Sequence, residues 1–214
     1  MRKAVITFAV LAAGAAQADE VVIAALGDSL TQGFGLPVQE GFVPQLQGWL
    51  EAQGLEARVI NAGVSGDTTA GGLARVGWTL TPEVDAMIVA LGGNDLLRGL
   101  DPAQARANIA GILETAAAQE VEVLLVGMQA PGNYGEDYKT AFDALYPDLA
   151  AEFDVLHAES FFVGLMQDGV MPALDQMQPF LQSDGIHPNA TGVTRIVEGL
   201  GPHVARLIEA AEAG

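Results

Sequence analysis

The sequence contains no cysteine, which excludes disulfide bonds, thiolate metal sites, a cysteine nucleophile and lipid attachment through a thiol. Basic residues are also scarce, because nine lysines and arginines stand against 27 aspartates and glutamates and give a formal net charge of −18. Such a charge repels a nucleic-acid backbone and an anionic membrane surface, so neither is expected as a partner. Apolar residues, in contrast, make up 50% of the 214 residues, which excludes a disordered chain and is enough for one folded domain.

A targeting signal is predicted over residues 1–18. Arg2 and Lys3 precede an apolar run over residues 4–13, and small residues then lead to Ala16-Gln17-Ala18. This order is typical of a secretory signal peptide cleaved after Ala18, with a buried N-terminal helix as the alternative. Cleavage leaves seven basic residues against 27 acidic ones, a formal net charge of −20. Because no later segment reaches the roughly 18 uncharged apolar residues of a membrane span, we expect a periplasmic or secreted bacterial protein without a stable membrane anchor.

Strands and helices alternate along residues 19–214, which show no linker or repeat and are expected to form a single domain. Continuous apolar runs predict five strands, over residues 21–26, 58–62, 86–91, 121–128 and 154–157. Apolar residues at helical spacing predict helices over residues 38–50, 102–116, 138–153 and 193–208. Gly54 is expected to end the first helix, Asp101 with Pro102 to begin the second, and Gly201-Pro202 to kink the last. The alternation predicts a parallel sheet with helices on both faces.

Polar residues follow the first three strands and precede the last helix. These segments are Gly27-Asp28-Ser29-Leu30, Gly63-Val64-Ser65-Gly66-Asp67-Thr68, Gly92-Gly93-Asn94-Asp95 and Ser183-Asp184-Gly185-Ile186-His187-Pro188. Because ligands of open α/β sheets bind at the carboxyl ends of the strands, we expect these four segments to share one rim.

The residue types on this rim fit acyl transfer. Ser29 supplies a hydroxyl nucleophile, which His187 is able to activate as a base near neutral pH. Asp184, three residues before His187, is placed to steady the imidazolium. The backbone N–H groups of Ser29 and Gly66 and the side-chain amide of Asn94 are candidate donors to an oxyanion.

Each of these residues also has an ordinary structural interpretation, since serine, glycine and asparagine are common in turns. Asp28 and Asp95 are interpreted as structural, bonding the turns that carry Ser29 and Asn94. His157, at a strand end, is expected to be structural, and His203 to be solvated or packed on the last helix.

Two loops, over residues 96–100 and 130–134, are expected to border the site. Leu96, Leu97 and Tyr134 are the candidate substrate-binding residues, since apolar side chains there favour a small or medium acyl chain. Arg98 is either solvated or a contact for an anionic head group. The chain lacks G-x-S-x-G, G-x-x-x-x-G-K-[ST], G-x-G-x-x-G and H-E-x-x-H, so neither a nucleotide nor a metal site is predicted.

Taken together, the four segments resemble the ordered blocks of the SGNH (GDSL) hydrolase superfamily. The likeness runs from about residue 22 to the end. It is closest to the bacterial periplasmic arylesterase, thioesterase I and lysophospholipase L1 branch, which residues 61–69 and 131–135 also match. The resemblance implies a flavodoxin-like three-layer α/β/α fold with a five-stranded parallel sheet. It further implies a Ser29–His187–Asp184 triad, an oxyanion hole of Ser29, Gly66 and Asn94, and no metal or cofactor.

The expected activity is hydrolysis of small-molecule carboxylic esters, and of thioesters, through an acyl-enzyme. A carbohydrate-ester deacetylase using the same site is an alternative, and a non-catalytic solute-binding module is another. A monomer is the default expectation for the oligomeric state.

Overall fold

The computed structural model describes residues 20–214, so the predicted signal peptide lies outside the described residues. Five parallel strands form one sheet in the order β2-β1-β3-β4-β5. The strands are β1 (Val21–Gly27), β2 (Ala57–Gly63), β3 (Ala86–Ala90), β4 (Glu122–Val126) and β5 (Leu156–Ala158). Their register pairs Gly27 with both Gly63 and Ala90, so the first three strands end side by side. The polar segments that follow them therefore meet at one edge, as the sequence predicts.

Eight α-helices are found in residues 20–214. They are α1 (Ser29–Gln32), α2 (Phe42–Gln53), α3 (Thr69–Thr79), α4 (Gly93–Arg98), α5 (Pro102–Ala117), α6 (Glu136–Phe153), α7 (Leu174–Met177) and α8 (Ala190–Ala213). Helices α2 and α8 pack together on one side of the sheet, while α3, α5 and α6 form the opposite layer. The predicted three-layer fold with its five-stranded parallel sheet is confirmed. None of these helices combines the length and apolar character that a membrane span needs.

Burial explains why the strands could be predicted from the sequence. Every residue of β1 and β3 is buried, because helices cover both faces of the central strands. The edge strand β2 is largely half-buried and accordingly carries polar residues such as Arg58 and Asn61. The apolar stripe of α8 continues through Pro202, so the last helix does not stop there.

Three sequence predictions need correction, and one helix was missed. Residues 96–98, predicted as part of a loop, complete helix α4, and only residues 99–100 of that segment follow it. Val38 lies in a separate 3₁₀ turn (Val38–Glu40) and is exposed, because α2 begins only at Phe42, after Gly41. Asp154 does not start β5, since it caps α6 in the left-handed conformation. Helix α3 was not predicted at all, because Gly71, Gly72 and Gly77 weaken its helical signal. Asp101 caps α5 as predicted, accepting a hydrogen bond from the Ala103 N–H at 2.9 Å, and Gly54 ends α2 in the left-handed conformation.

Candidate active site

Ser29 is held at the sharp connection between β1 and α1. Asp28 caps this short helix, its Oδ1 accepting from the Leu30 N–H at 3.0 Å, and Ser29 is the first helical residue. The connection is tight, since a Cβ on Gly27 would overlap the Thr31 side chain and approach the Ala90 carbonyl oxygen to 2.9 Å. The Ser29 hydroxyl is thereby fixed beyond the carboxyl end of a buried strand.

His187 lies in a loop closed by hydrogen bonds on both sides. Leu181 and Pro188 form an isolated antiparallel bridge, and the Gln182 N–H donates to the His187 carbonyl at 2.7 Å. Asn189 then caps α8 by accepting from the Gly192 N–H at 3.0 Å. The imidazole thus projects from backbone that is anchored immediately before and after it.

Asp184, His187 and Ser29 form a hydrogen-bonded series. Asp184 Oδ2 lies 2.6 Å from His187 Nδ1, and His187 Nε2 lies 2.9 Å from Ser29 Oγ. The hydrogen bond from the His187 side chain, reinforced by the N–H groups of Ile186 and His187, lowers the pKa of Asp184 to about 2. Because an ionised Asp184 only accepts, Nδ1 carries the imidazole proton and Nε2 is free to accept from the Ser29 hydroxyl. This is the arrangement that a serine nucleophile and its base require.

Phe34 also packs on this series, a contact that the sequence reasoning missed. Its ring centroid lies 4.6 Å from that of His187, at an interplanar angle of 38°. The position of Phe34 five residues after Ser29, beyond the end of a four-residue helix, gives no periodic signal that would mark it. The phenyl ring of Phe34 therefore packs against the imidazole in a tilted arrangement.

Gly66 lies in a turn that follows β2. The Asp67 N–H donates to the Val64 carbonyl at 3.1 Å, and Gly66 adopts a φ of +85°, which favours glycine at this position of the turn. Arg98, which the sequence left between a solvated residue and a head-group contact, is exposed to solvent and also donates from Nη2 to the Gly66 carbonyl at 2.9 Å.

Asn94 lies in the first turn of α4 and contacts Asp28. Its Nδ2 donates to Asp28 Oδ2 at 3.3 Å, which leaves a second N–H on the same nitrogen. Burial raises the pKa of Asp28 to about 6, although hydrogen bonds from the Leu30 N–H and from Asn94 oppose the shift. Asp28 is therefore structural in the predicted sense, since it supports the turn that carries Ser29.

Asp95 is also buried and structural, but its partner differs from the predicted one. Its carboxylate accepts from the Thr69 N–H at 2.9 Å and from the Thr69 hydroxyl at 2.7 Å, so it ties α4 to the start of α3. The prediction that Asp95 bonds the turn carrying Asn94 was wrong, because Thr69 offers it two donors from the neighbouring helix.

Ser29, Gly66, Asn94 and His187 border one cavity of about 440 Å³. Its lining is largely apolar and includes the three predicted substrate-binding residues, of which Leu96 is buried and Leu97 and Tyr134 are 58% and 43% exposed. The sequence reasoning missed further apolar lining residues, namely Phe34, Met128, Phe162 and Ile186. Met128 lies just beyond the end of β4, a placement that strand prediction could have used to find it.

The other two histidines lie outside this cavity. Burial lowers the pKa of both His157 and His203. His203 lowers the pKa of His157 further, and Arg206 lowers that of His203 further. His157 Nε2 is buried without a hydrogen-bond partner, whereas Arg206 donates to His203 Nδ1 at 2.7 Å. Within residues 20–214, no three His, Asp or Glu side chains cluster closely enough to hold a metal ion.

A serine, a histidine and a carboxylate in hydrogen-bonded series at the carboxyl edge of a parallel sheet form the arrangement that serine hydrolases use. Comparison with known proteins identifies the family. Residues 25–195 match the GDSL-like lipase/acylhydrolase family. The chain is 39% identical to the esterase TesA of Pseudomonas aeruginosa, over 90% of this chain and 92% of that protein.

Two further relatives cover nearly the whole chain. Thioesterase 1/protease 1/lysophospholipase L1 of Escherichia coli K12 is 35% identical, over 91% of this chain and 87% of that protein. The crystal structure of the psychrotrophic esterase EstA from Pseudoalteromonas sp., inhibited by monoethylphosphonate, superimposes with a TM-score of 0.77 at 25% identity, covering 88% of this chain and 98% of that one. The protein belongs to the GDSL-like lipase/acylhydrolase (SGNH) family, and it is a hydrolase of ester bonds.

Proposed function

We propose that the protein is a serine esterase that hydrolyses carboxylic esters with small to medium acyl chains, and also thioesters, through an acyl-enzyme. The observation that carries the proposal is the series Asp184–His187–Ser29, with separations of 2.6 and 2.9 Å, at the mouth of an apolar cavity. A non-catalytic binding module has no use for a base beside a serine, and membership of a hydrolase family argues against that alternative.

In the acylation half-reaction, His187 Nε2 takes the proton from Ser29 Oγ as this oxygen attacks the carbonyl carbon of the substrate. The carbonyl oxygen becomes an oxyanion, which accepts hydrogen bonds from the N–H groups of Ser29 and Gly66 and from the second N–H of Asn94 Nδ2. Asp184, ionised at neutral pH, stabilises the imidazolium. The bond to the leaving alcohol or thiol then breaks, and His187 gives that group its proton.

In the deacylation half-reaction, His187 removes a proton from water, which attacks the acyl-enzyme carbonyl. A second tetrahedral intermediate uses the same three donors, and its collapse releases the acid and returns the proton to Ser29 Oγ. Every proton that leaves Ser29 or water passes through His187, so the cycle needs no further acid or base.

The apolar lining supports the proposed acyl preference. Leu96, Leu97 and Tyr134 offer an acyl chain more apolar surface than an acetyl group is able to cover. A deacetylase on carbohydrate esters, the second candidate, predicts instead that activity does not increase beyond acetate.

The test is hydrolysis of p-nitrophenyl esters from acetate to decanoate by the wild type and by Ser29→Ala, His187→Gln and His203→Gln. His203→Gln is the matched control, because His203 lies outside the cavity. We expect Ser29→Ala and His187→Gln to lose at least about 10³-fold in kcat while remaining folded, and His203→Gln to keep its activity. Ester hydrolysis that survives in folded Ser29→Ala would contradict the proposal, and a maximum at acetate would favour the deacetylase.

We also infer that the protein acts in the periplasm or outside the cell, on the strength of the predicted signal over residues 1–18. The N-terminal sequence of the exported protein is expected to begin at Asp19.

A further inference from the structure

Arg75, at the end of the second turn of α3, reaches the carboxyl ends of two strands. Its Nη2 donates to the Gly27 carbonyl at 2.8 Å and its Nη1 to the Ala62 carbonyl at 2.7 Å. Its Nε donates to Asp67 Oδ2 at 2.6 Å. The guanidinium group thus bonds the last residue of β1, the end of β2 and the loop beyond, and the Arg75 side chain is only 22% exposed.

These partners surround the segment that carries Gly66. The Gly27 carbonyl, which immediately precedes the Asp28–Ser29 turn, also accepts from the Val64 N–H at 3.0 Å. One carbonyl oxygen therefore joins Arg75 to the first residue of the Gly66 turn, while the Asp67 carboxylate joins Arg75 to its last residue. Arg75 holds both ends of the turn against the strand that presents Ser29.

The backbone of the turn does not by itself fix its orientation, which depends on neighbouring side chains; one of these contacts is the hydrogen bond that the Ser65 hydroxyl donates to Gln32 Oε1. Its internal hydrogen bond, from the Asp67 N–H to the Val64 carbonyl, defines its shape but not the direction in which the Gly66 N–H points. The Asp67 side chain contributes to that direction by packing against the first turn of α3, where a Cβ on Gly71 would approach Asp67 Oδ1 to 2.6 Å. Arg98 adds one bond to the Gly66 carbonyl from the opposite side.

We propose that Arg75, acting through Asp67 and the Gly27 carbonyl, is a positioning residue that aims the Gly66 N–H at the oxyanion of the tetrahedral intermediate. This inference rests on the proposed function, in which Gly66 is one of three oxyanion donors. Arg75 touches no reacting atom. Its contribution is to keep the donor in place before the charge develops, so that no reorganisation is needed when the intermediate forms.

The competing interpretation is that the Arg75–Asp67 pair only stabilises the fold. A purely structural role changes the fraction of folded enzyme, and hence all substrates equally. A misaimed oxyanion donor, in contrast, penalises an oxygen anion more than the larger and more weakly hydrogen-bonded sulfur anion formed from a thionoester. The ratio of kcat/KM for an ester to that for its C=S analogue therefore separates the two roles.

The experiment compares Arg75→Met, Arg75→Lys and Asp67→Asn with the wild type, using p-nitrophenyl butyrate and its thiono analogue. Arg106→Met is the matched control, because Arg106 forms an exposed ion pair with Glu152 at 2.6 Å, away from the cavity. Titration of Ser29 with a phosphonate ester gives the concentration of active enzyme, to which each kcat is normalised.

We expect kcat of Arg75→Met and of Asp67→Asn to fall about 10- to 100-fold, since displacing a donor such as the Gly66 N–H by about 1 Å has effects of that order. KM should stay within about twofold, and the ester-to-thionoester ratio should fall with kcat. Arg75→Lys, which keeps the charge but not the forked geometry, should recover part of the loss. Arg106→Met should match the wild type in both quantities.

An unchanged ester-to-thionoester ratio in Asp67→Asn would overturn the inference, even if Arg75→Met did not fold. Full activity of folded Arg75→Met would overturn it as well. Ser29→Ala, assayed alongside, keeps the two proposals distinguishable: activity that persists in this variant contradicts the proposed function, whereas its loss together with a normal Arg75→Met contradicts the positioning role alone.

Discussion

Replacing Asp28 by asparagine should stabilise the fold at neutral pH and impair catalysis. Asp28 is only 1% exposed, and burial raises its pKa from 3.8 to about 6. In the unfolded chain the same carboxyl ionises near 3.8. Between these two values the native state binds a proton that the unfolded state has lost, so rising pH weakens the native state over this interval.

The size of the effect follows from the two pKa values. At about 1.36 kcal/mol per pKa unit, the ionised Asp28 side chain destabilises the native state by about 3 kcal/mol once both states are ionised. Roughly 1.4 kcal/mol of this difference develops between pH 5 and 8, a range that avoids the isoelectric region near 4.2. Asparagine does not titrate and still accepts from the Leu30 N–H, so the variant should lack this loss.

The assay is urea unfolding of both proteins at several pH values from 5 to 8. We expect the unfolding free energy of Asp28→Asn minus that of the wild type to rise with pH by roughly 1.4 kcal/mol over this range, because other titrating groups cancel in the difference. The new carboxamide presents a donor to Asn94 Nδ2 where the carboxylate was an acceptor, so kcat should fall by about tenfold or more. A difference that stays constant with pH, or decreases, would refute the reasoning.

Two further predictions concern charge. Burial lowers the pKa of both His157 and His203 in the native state, so the unfolded state gains protons first as the pH falls below 6.5 and stability drops. His157→Gln should therefore lose less stability than the wild type between pH 7 and 5 in urea unfolding, and parallel curves would contradict this. Because the protein carries a formal charge of −18, or −20 after the predicted cleavage, we expect kcat/KM for a polyanionic acyl-CoA to rise with moderate salt while that for a neutral ester stays level. An equal response of both substrates would show that electrostatic repulsion does not limit capture.

The strands and helices that could be predicted are those whose burial is reflected in the amino-acid sequence. Strands β1 and β3 are covered on both faces, and their sequences are accordingly continuous apolar runs. Helix α8 was predictable because its buried residues recur at helical spacing over most of its length. Helix α3 also has buried positions, at Gly72 and Val76. Because glycine does not count as an apolar residue in a periodicity pattern, this buried face could not be predicted from the sequence.

The candidate site was predictable where one short segment carries the chemistry. Asp184 and His187 are three residues apart, so their hydrogen bond is a local property of the chain. The contact of Phe34 with His187 joins segments that are distant in sequence, and it follows from the tertiary structure alone. Asp95 shows the same limit, since its partner Thr69 lies 26 residues earlier, on another helix.

The least predictable residues are the arginines near the site, because their partners are largely backbone carbonyls. Every residue offers a carbonyl oxygen, so the acceptors of Arg75 and Arg98 have no signature in the sequence. Because Arg75 and Arg98 bond these carbonyls, neither lines the cavity, and none of the described residues that border it is a lysine or arginine. Two charged side chains lie just outside this lining: the exposed Arg98 guanidinium, which bonds the Gly66 carbonyl at 2.9 Å, and the ionised Asp184 carboxylate, which lies 2.6 Å from His187 Nδ1. Because the lining itself offers no cation and the protein carries a formal net charge of −18, neutral esters are favoured over anionic ones.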